Sequence, residues 1–232
     1  MKILTGLLLL PFCAAISRTL WHIVTALSLD GASLSPSTWG LLLGFVVWLV
    51  LYFCSPRPVK AYVLAHELTH ALWGRLMGAR VSRLRVSARG GSVTLSKSNF
   101  LITLAPYFFP FYTLLALALY GLASLFFDLR PYEPFWLGCV GLTWGFHLTF
   151  TISTLQQHQP DVRVHGRLFS YAFIYLMNLL GVVAWIVIVA SPTWAEVGRR
   201  FGADLLWVAV QVRDLALRGW AAWPLTARGF SR

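Results

Sequence analysis

"AYVLAHELTHALWGRLMG", residues 61–78, decides how this chain is read. It sets His66, Glu67 and His70 inside an apolar run. Ionisable groups are costly in such surroundings, and those found within membrane segments are usually functional. Residues four apart on a helix lie on one face, one turn above the other. His66 and His70 can therefore each offer a ring nitrogen to one metal ion. Glu67, offset by one position, can reach a water on that ion without being a ligand. This is the HExxH arrangement of two zinc ligands and a general base. Zinc lowers the pKa of its bound water to about 7, so hydroxide is at hand at neutral pH. Glu67 would take the proton and pass it to a leaving amine. The competing reading makes the two histidines bundle-interior hydrogen-bonding groups and pairs Glu67 with an arginine. Three such groups within one helical turn, at metal spacing, favour the metal.

The surroundings of this stretch are those of a membrane. Of 232 residues, 58% are hydrophobic and 12% charged, and the mean hydropathy is +0.69. Soluble domains carry about a quarter charged residues. The net charge of +11 does not point to nucleic acid, because no basic patch alternates with exposed aromatic residues. The Lys and Arg residues lie between apolar runs, where they orient the chain by the positive-inside rule. Cys13, Cys54 and Cys139 lack CxxC spacing and read as packing residues, with neither a disulfide framework nor a cysteine zinc site.

Apolar runs at 3–27, 39–54, 61–77, 100–127, 134–154 and 168–190 predict an all-α polytopic membrane protein of about five to six transmembrane helices. The first run has signal-peptide features but reads as a retained anchor or membrane-lying helix. The runs 39–54 and 61–77 are short. Residues 100–127 are long enough to tilt, and Pro106 and Pro110 should bend them. The segment 79–99 alternates, with Leu84, Val86 and Ala88 on one side and Arg83, Arg85, Ser87 and Arg89 on the other. With Gly90-Gly91 as the break, this predicts a small membrane-associated β-hairpin. Its charges place it on the cytoplasmic side, so 61–77 would run inward, 100–127 outward and 134–154 inward. That order leaves Arg57 and Lys60 outside, a mild breach of the rule. From Ser191 onward, apolar residues at helical spacing mix with charges, as in an amphipathic helix lying in the interface. Asn178, a lone amide in the last span, suits interhelical bonding.

A catalytic zinc takes a third protein ligand and keeps one open position. The chain has only eight acids and six histidines to offer. Asp30, Asp128 and Glu133 fall outside the core or on the far side. Glu196, Asp204 and Asp214 belong to the polar faces of the C-terminal helix. His147 and Asp161 remain. In one unbroken helix they would stand roughly 21 Å apart and could not share an ion. "QQHQP" before Asp161 is polar, and Pro160 disfavours helix at Gln159, so a break there could fold Asp161 back.

HExxH in a transmembrane helix, a following hairpin, and two spans with an Asp where the second breaks resemble the site-2 protease family of intramembrane zinc metalloproteases. The resemblance covers roughly residues 61–181. His66, Glu67 and His70 match its first motif in full. The second motif, an Asn-Pro break ending in Asp-Gly, is degenerate here: "QHQPDVRVHG" keeps Pro160 and Asp161, with no glycine until Gly166. The resemblance implies a Zn2+ cofactor held by His66, His70 and Asp161, with Glu67 as catalytic base. His147 stays as the alternative third ligand. It also implies a hairpin edge that takes an unwound substrate by strand addition, and Gly90-Gly91 would permit a tight turn or close backbone approach. The expected organisation is 1–60 as N-terminal membrane helices, 61–190 as the metalloprotease core and 191–232 as a C-terminal interfacial helix and tail. The expected partners are the lipid bilayer, a transmembrane or membrane-anchored protein substrate and a possible membrane partner subunit, in a bacterial inner membrane. A non-proteolytic metal-binding subunit or scaffold of a membrane complex is the alternative function.

Overall fold

The computed structural model describes residues 2–29, 35–157, 159–189 and 192–227, so Asp30 lies outside the described residues. In chain order the elements are helices α1 (Lys2–Leu29), α2 (Pro36–Cys54) and α3 (Val59–Leu76), then strands β1 (Val81–Ser87) and β2 (Gly90–Leu95). Helix α4 (Phe100–Leu104) continues into a 3₁₀ turn, Ala105–Tyr107, before α5 (Phe111–Ser124). A second 3₁₀ turn, Arg130–Tyr132, leads into α6 (Glu133–Leu155); α7 (Pro160–Val164), α8 (Arg167–Val189) and α9 (Trp194–Ala227) follow among the described residues. Helices Lys2–Ala26, Pro36–Cys54, Arg130–Leu155 and Arg167–Ile188 are long and apolar enough to cross a bilayer. The pair Phe100–Tyr107 and Phe111–Ser124 adds a fifth span if counted as one. The protein is thus an all-α polytopic membrane protein with a two-stranded antiparallel hairpin.

The described chain forms two compact units, Ala32–Ser170 and Met1–Gly31 with Tyr171–Arg232. The central unit is built on α2 and α6. A Cβ on Gly40 would run into the Pro134 carbonyl, one on Gly44 into that of Gly138, and one on Gly141 into that of Leu41. Small residues let transmembrane backbones approach this closely, and packing then holds the pair. Further along the same contact, the Trp48 indole donates to Thr149 Oγ1 (2.9 Å) and its ring lies against Phe146. The matched order of these contacts makes α2 and α6 parallel.

Helix α3 turns back after Ser55–Pro58. Tyr62 stacks on Phe150, while Ala65 and Thr69 share a small cavity with Thr143 and His147, so α3 and α6 run in opposite directions. This corrects the expectation that 61–77 and 134–154 both run inward. The physical reason is the four-residue turn after α2, which brings the start of α3 beside the end of α6. Arg57 then lines the same cavity as Arg89 and Gln157, and the breach of the positive-inside rule disappears. The hairpin folds back along α3: Leu95 meets Gly74, and Gly91 meets Glu67 and Val63. Its register slips between Ser82 and Leu84, where Arg83 takes a φ of 47°, the left-handed value of a bulge residue. Pro106 and Pro110 do more than bend one span. The helix axes on either side turn by 82°, so 100–124 is two half-helices.

In the terminal unit, Ile16, Ile23, Val183 and Val197 form the core, with α9 against α1. Asp204 is buried there, accepting from Arg18 Nε (2.9 Å) and Thr19 Oγ1 (2.9 Å), and the Arg18 guanidinium sits 4.0 Å from the Trp207 ring centroid. Asp204 is therefore a helix-to-helix anchor rather than a polar-face residue. A buried carboxylate is costly unless it is paired and hydrogen-bonded in this way. Helix α9 opens with a capping box, in which Thr193 N donates to Glu196 Oε2 (2.7 Å) and Glu196 N donates to Thr193 Oγ1 (3.3 Å). The bonds that Thr193 N and Thr193 Oγ1 donate to Oε2 hold the Glu196 carboxyl below its ordinary range. Asn178 Nδ2 donates to the Ile174 carbonyl of its own helix.

The α2–α6 contact yields a direct test. Gly44→Leu is expected to cost about 1–3 kcal/mol of resistance to unfolding in detergent. Gly121→Leu, at a position with open space around it, is expected to be near neutral.

Candidate metal centre

The centre is assembled from two segments, Asp161 following His70 by 91 residues. On α3, the four-residue spacing puts the rings of His66 and His70 on one face, with Nε2 to Nε2 at 3.2 Å. Asp161 arrives on α7. Helix α6 stops at Leu155, and Gln159 takes the extended backbone (φ −90°, ψ 124°) that a following proline imposes. Pro160 then opens a five-residue helix, and Gly166, with φ 90°, ends it. Buried Val162 and a bond from Ser170 Oγ to the Val162 carbonyl (3.0 Å) pin α7, and the Phe100 ring packs on His165 and Phe169. Asp161 Oδ2 lies 3.5 Å from Nε2 of both His66 and His70.

Edges of 3.2, 3.5 and 3.5 Å form a nearly equilateral triangle of lone-pair atoms. Ligands of a tetrahedral ion at about 2.0–2.2 Å stand about 3.3–3.6 Å apart, so the three groups fit such an ion with its fourth position open. Among the described residues this is the one cluster of three or more His, Cys, Asp or Glu groups suited to a metal. Each member also has an outer partner. His70 Nδ1 lies 2.8 Å from the Ile102 carbonyl, which as an acceptor requires the proton on Nδ1 and leaves Nε2 as the donor atom of a neutral ring. His66 Nδ1 is 3.3 Å from the Tyr62 hydroxyl, and the Tyr107 hydroxyl donates to Asp161 Oδ2 (3.1 Å).

The cluster opens into a cavity of about 780 Å³. Glu67 lines it beside the two histidines, and so do Gly90, Gly91, Ser92 and Val93 of β2. Glu67 is itself 7% exposed. The hairpin backbone presses on it: a Cβ on Gly91 would stand 2.7 Å from both Glu67 Cγ and Val63 Cγ1. Only glycine allows this approach. His147 does not join the cluster. It lines a separate cavity of about 20 Å³ on the other side of His66, with Ala65 and Thr69.

Of the residues singled out from sequence, the structure brings His66, Glu67, His70 and Asp161 to one cavity and leaves His147 outside it. Asp128 pairs with Arg130, Glu133 accepts from Ser37, and Asp214 pairs with Arg213. Sequence reasoning missed three outer partners. Tyr62 carried a signal, since it lies four residues before His66 on the same helix face. The Ile102 carbonyl and Tyr107 carried none, because they come from the proline-broken half-helix.

Comparison with known proteins adds an independent finding. Residues 38–128 match the family model described as Peptidase M50B-like. No curated protein and no solved structure matches the chain. The matched stretch contains α3 and the whole hairpin but ends before Asp161. The match covers fewer than half of the 232 residues; it is a likeness to that peptidase family, in line with the resemblance drawn from HExxH, and it supports in general a membrane metallopeptidase type of function for an integral membrane protein.

The Gly91 contact generates a prediction for turnover. Gly91→Ala must displace either the hairpin or Glu67, and is expected to lower metal-dependent peptidase turnover about tenfold or more while leaving metal content unchanged. Peptide cleavage and metal analysis on the same preparation check both halves.

Proposed function

We propose, from that partial family likeness as premise, that this chain is a membrane-embedded zinc endopeptidase. His66, His70 and Asp161 hold the ion, and Glu67 is general base and then general acid. The observation that carries the reading is the triangle of near-equal edges beside a buried glutamate that is not one of its corners. HExxH favours zinc over other ions for a two-nitrogen, one-oxygen set. When bound, zinc acts as a Lewis acid toward the scissile carbonyl and makes its water acidic enough to ionise near neutral pH.

The chain's own residues do the rest. Glu67 accepts a proton as the water oxygen bonds to the carbonyl carbon. It then delivers that proton to the nitrogen as the C–N bond breaks, so the products are a free carboxylate and a free amine. The Ile102 carbonyl holds the His70 ring in the tautomer that points Nε2 at the centre. Helical peptide bonds are shielded by their own hydrogen bonds, so a transmembrane substrate has to unwind. Strand β2 lines the cavity and pairs with β1 along one edge. Its other edge is suited to take the unwound segment by strand addition. The substrate is thus a transmembrane or membrane-anchored protein, cut near the membrane end where Arg57 and Arg89 gather, with a bacterial inner membrane as the proposed location.

Glu67→Gln separates this reading from a metal-binding scaffold. The variant is expected to retain one zinc per chain and lose at least about 100-fold in cleavage. Fragment profiling of membrane proteins from cells carrying wild type or variant reads the outcome. Equal fragment patterns with wild-type zinc content would favour the scaffold.

A further inference from the structure

We propose that Tyr107 is a positioning residue for Asp161, fixing which carboxylate oxygen faces the two imidazoles. The inference rests on the metal-site reading above and deepens it. Tyr107 is fully buried, with 0% exposure, and does not belong to the wall of the main cavity. It therefore does not meet substrate. Its hydroxyl donates to Asp161 Oδ2 at 3.1 Å, the same oxygen that lies 3.5 Å from both His Nε2 atoms. Its ring stands edge-on to His66, with centroids 5.3 Å apart and planes at 85°. One side chain thus touches two of the three corners.

Asp161 needs such a tether more than the histidines do. His66 and His70 share one regular helix of 18 residues, which fixes their separation. Asp161 sits on a helix of five residues, joined to α6 by a non-helical linker. Its carboxylate would be free to rotate about χ2 without an external donor, and a ligand whose orientation is free binds an ion less tightly. A buried phenol, for its part, requires an acceptor. The two requirements are met by one bond. The donor comes from the 3₁₀ turn Ala105–Tyr107, just beyond the α4 carbonyl of Ile102 that orients His70. The proline-broken half-helix therefore holds the outer side of two ligands on different segments, which gives the break a role beyond bending a span.

The test is zinc affinity of the purified full-length protein, measured by competition with a chromophoric chelator. Wild type, Tyr107→Phe, Asp161→Asn and the double variant are compared. Tyr107→Phe keeps the ring and its contact on His66, and the thermal transition of the zinc-free protein reports that the fold persists. The expected result is a 10–100-fold loss of zinc affinity in Tyr107→Phe. No further loss is expected when the same change is made in Asp161→Asn. A merely structural role would weaken zinc equally in both backgrounds. Affinity within twofold of wild type in Tyr107→Phe, or an undiminished loss in the Asp161→Asn background, overturns the inference while leaving the metal site standing. Wild type without stoichiometric zinc, or Asp161→Asn binding as tightly as wild type, overturns the metal-site reading and the inference with it.

Discussion

Three lone-pair atoms held within 3.5 Å of one another, in a region walled by apolar helices, are the constraint on which the central unit depends. Such lone pairs repel unless a proton or a metal cation lies among them, and the cavity beside them gives a bound ion access to solvent. The arrangement is one that a metal cation would complete. Much of the unit can be understood as the means of holding these atoms in place. Helix α3 sets two of them by its own geometry. A helix break, a short helix and a buried phenol bring the third.

The scaffold behind this is a close helix pair. The glycines of α2 and α6 let two backbones touch, and the aromatic cluster of Trp48, Tyr52, Phe146 and Phe150 extends the contact to Tyr62 of α3. Because α3 doubles back on that pair, its start lies beside the end of α6, and the linker that carries Asp161 begins where the histidines are. The hairpin then returns along α3 until Gly91 meets Glu67. The antiparallel path of α3 thus links the position of Asp161 to the position of the edge strand. Had α3 run parallel to α6, the linker would have started at its far end.

Much of this was legible in the residues. HExxH, the alternation around Leu84–Arg89, and the Pro160 break each follow from local rules of spacing and backbone restriction, and each lies where those rules put it. The direction of α3 was not legible from charge. Arg80, Arg83, Arg85, Arg89 and Lys97 assign the hairpin to one side of the membrane, but because it folds back along α3 they do not give the direction of that helix. Asp204 was misread for a related reason: an acid at a polar position of an amphipathic helix looks solvated until a partner such as Arg18 is found on another helix. The Gly40–Gly44 and Gly141–Gly145 spacings stand in the sequence but were not read from it; their role in the central helix contact comes from the structure. Tyr107 and the Ile102 carbonyl had no local signature, since their importance comes only from tertiary placement.

The most direct measurement is X-ray absorption at the zinc edge on protein purified without added metal or chelator. The account predicts one zinc per chain, with two imidazole nitrogens and one carboxylate oxygen at about 2.0–2.2 Å and a light solvent atom in the remaining position. Protein free of stoichiometric zinc, or a first shell with three imidazoles or a sulfur ligand, would contradict it.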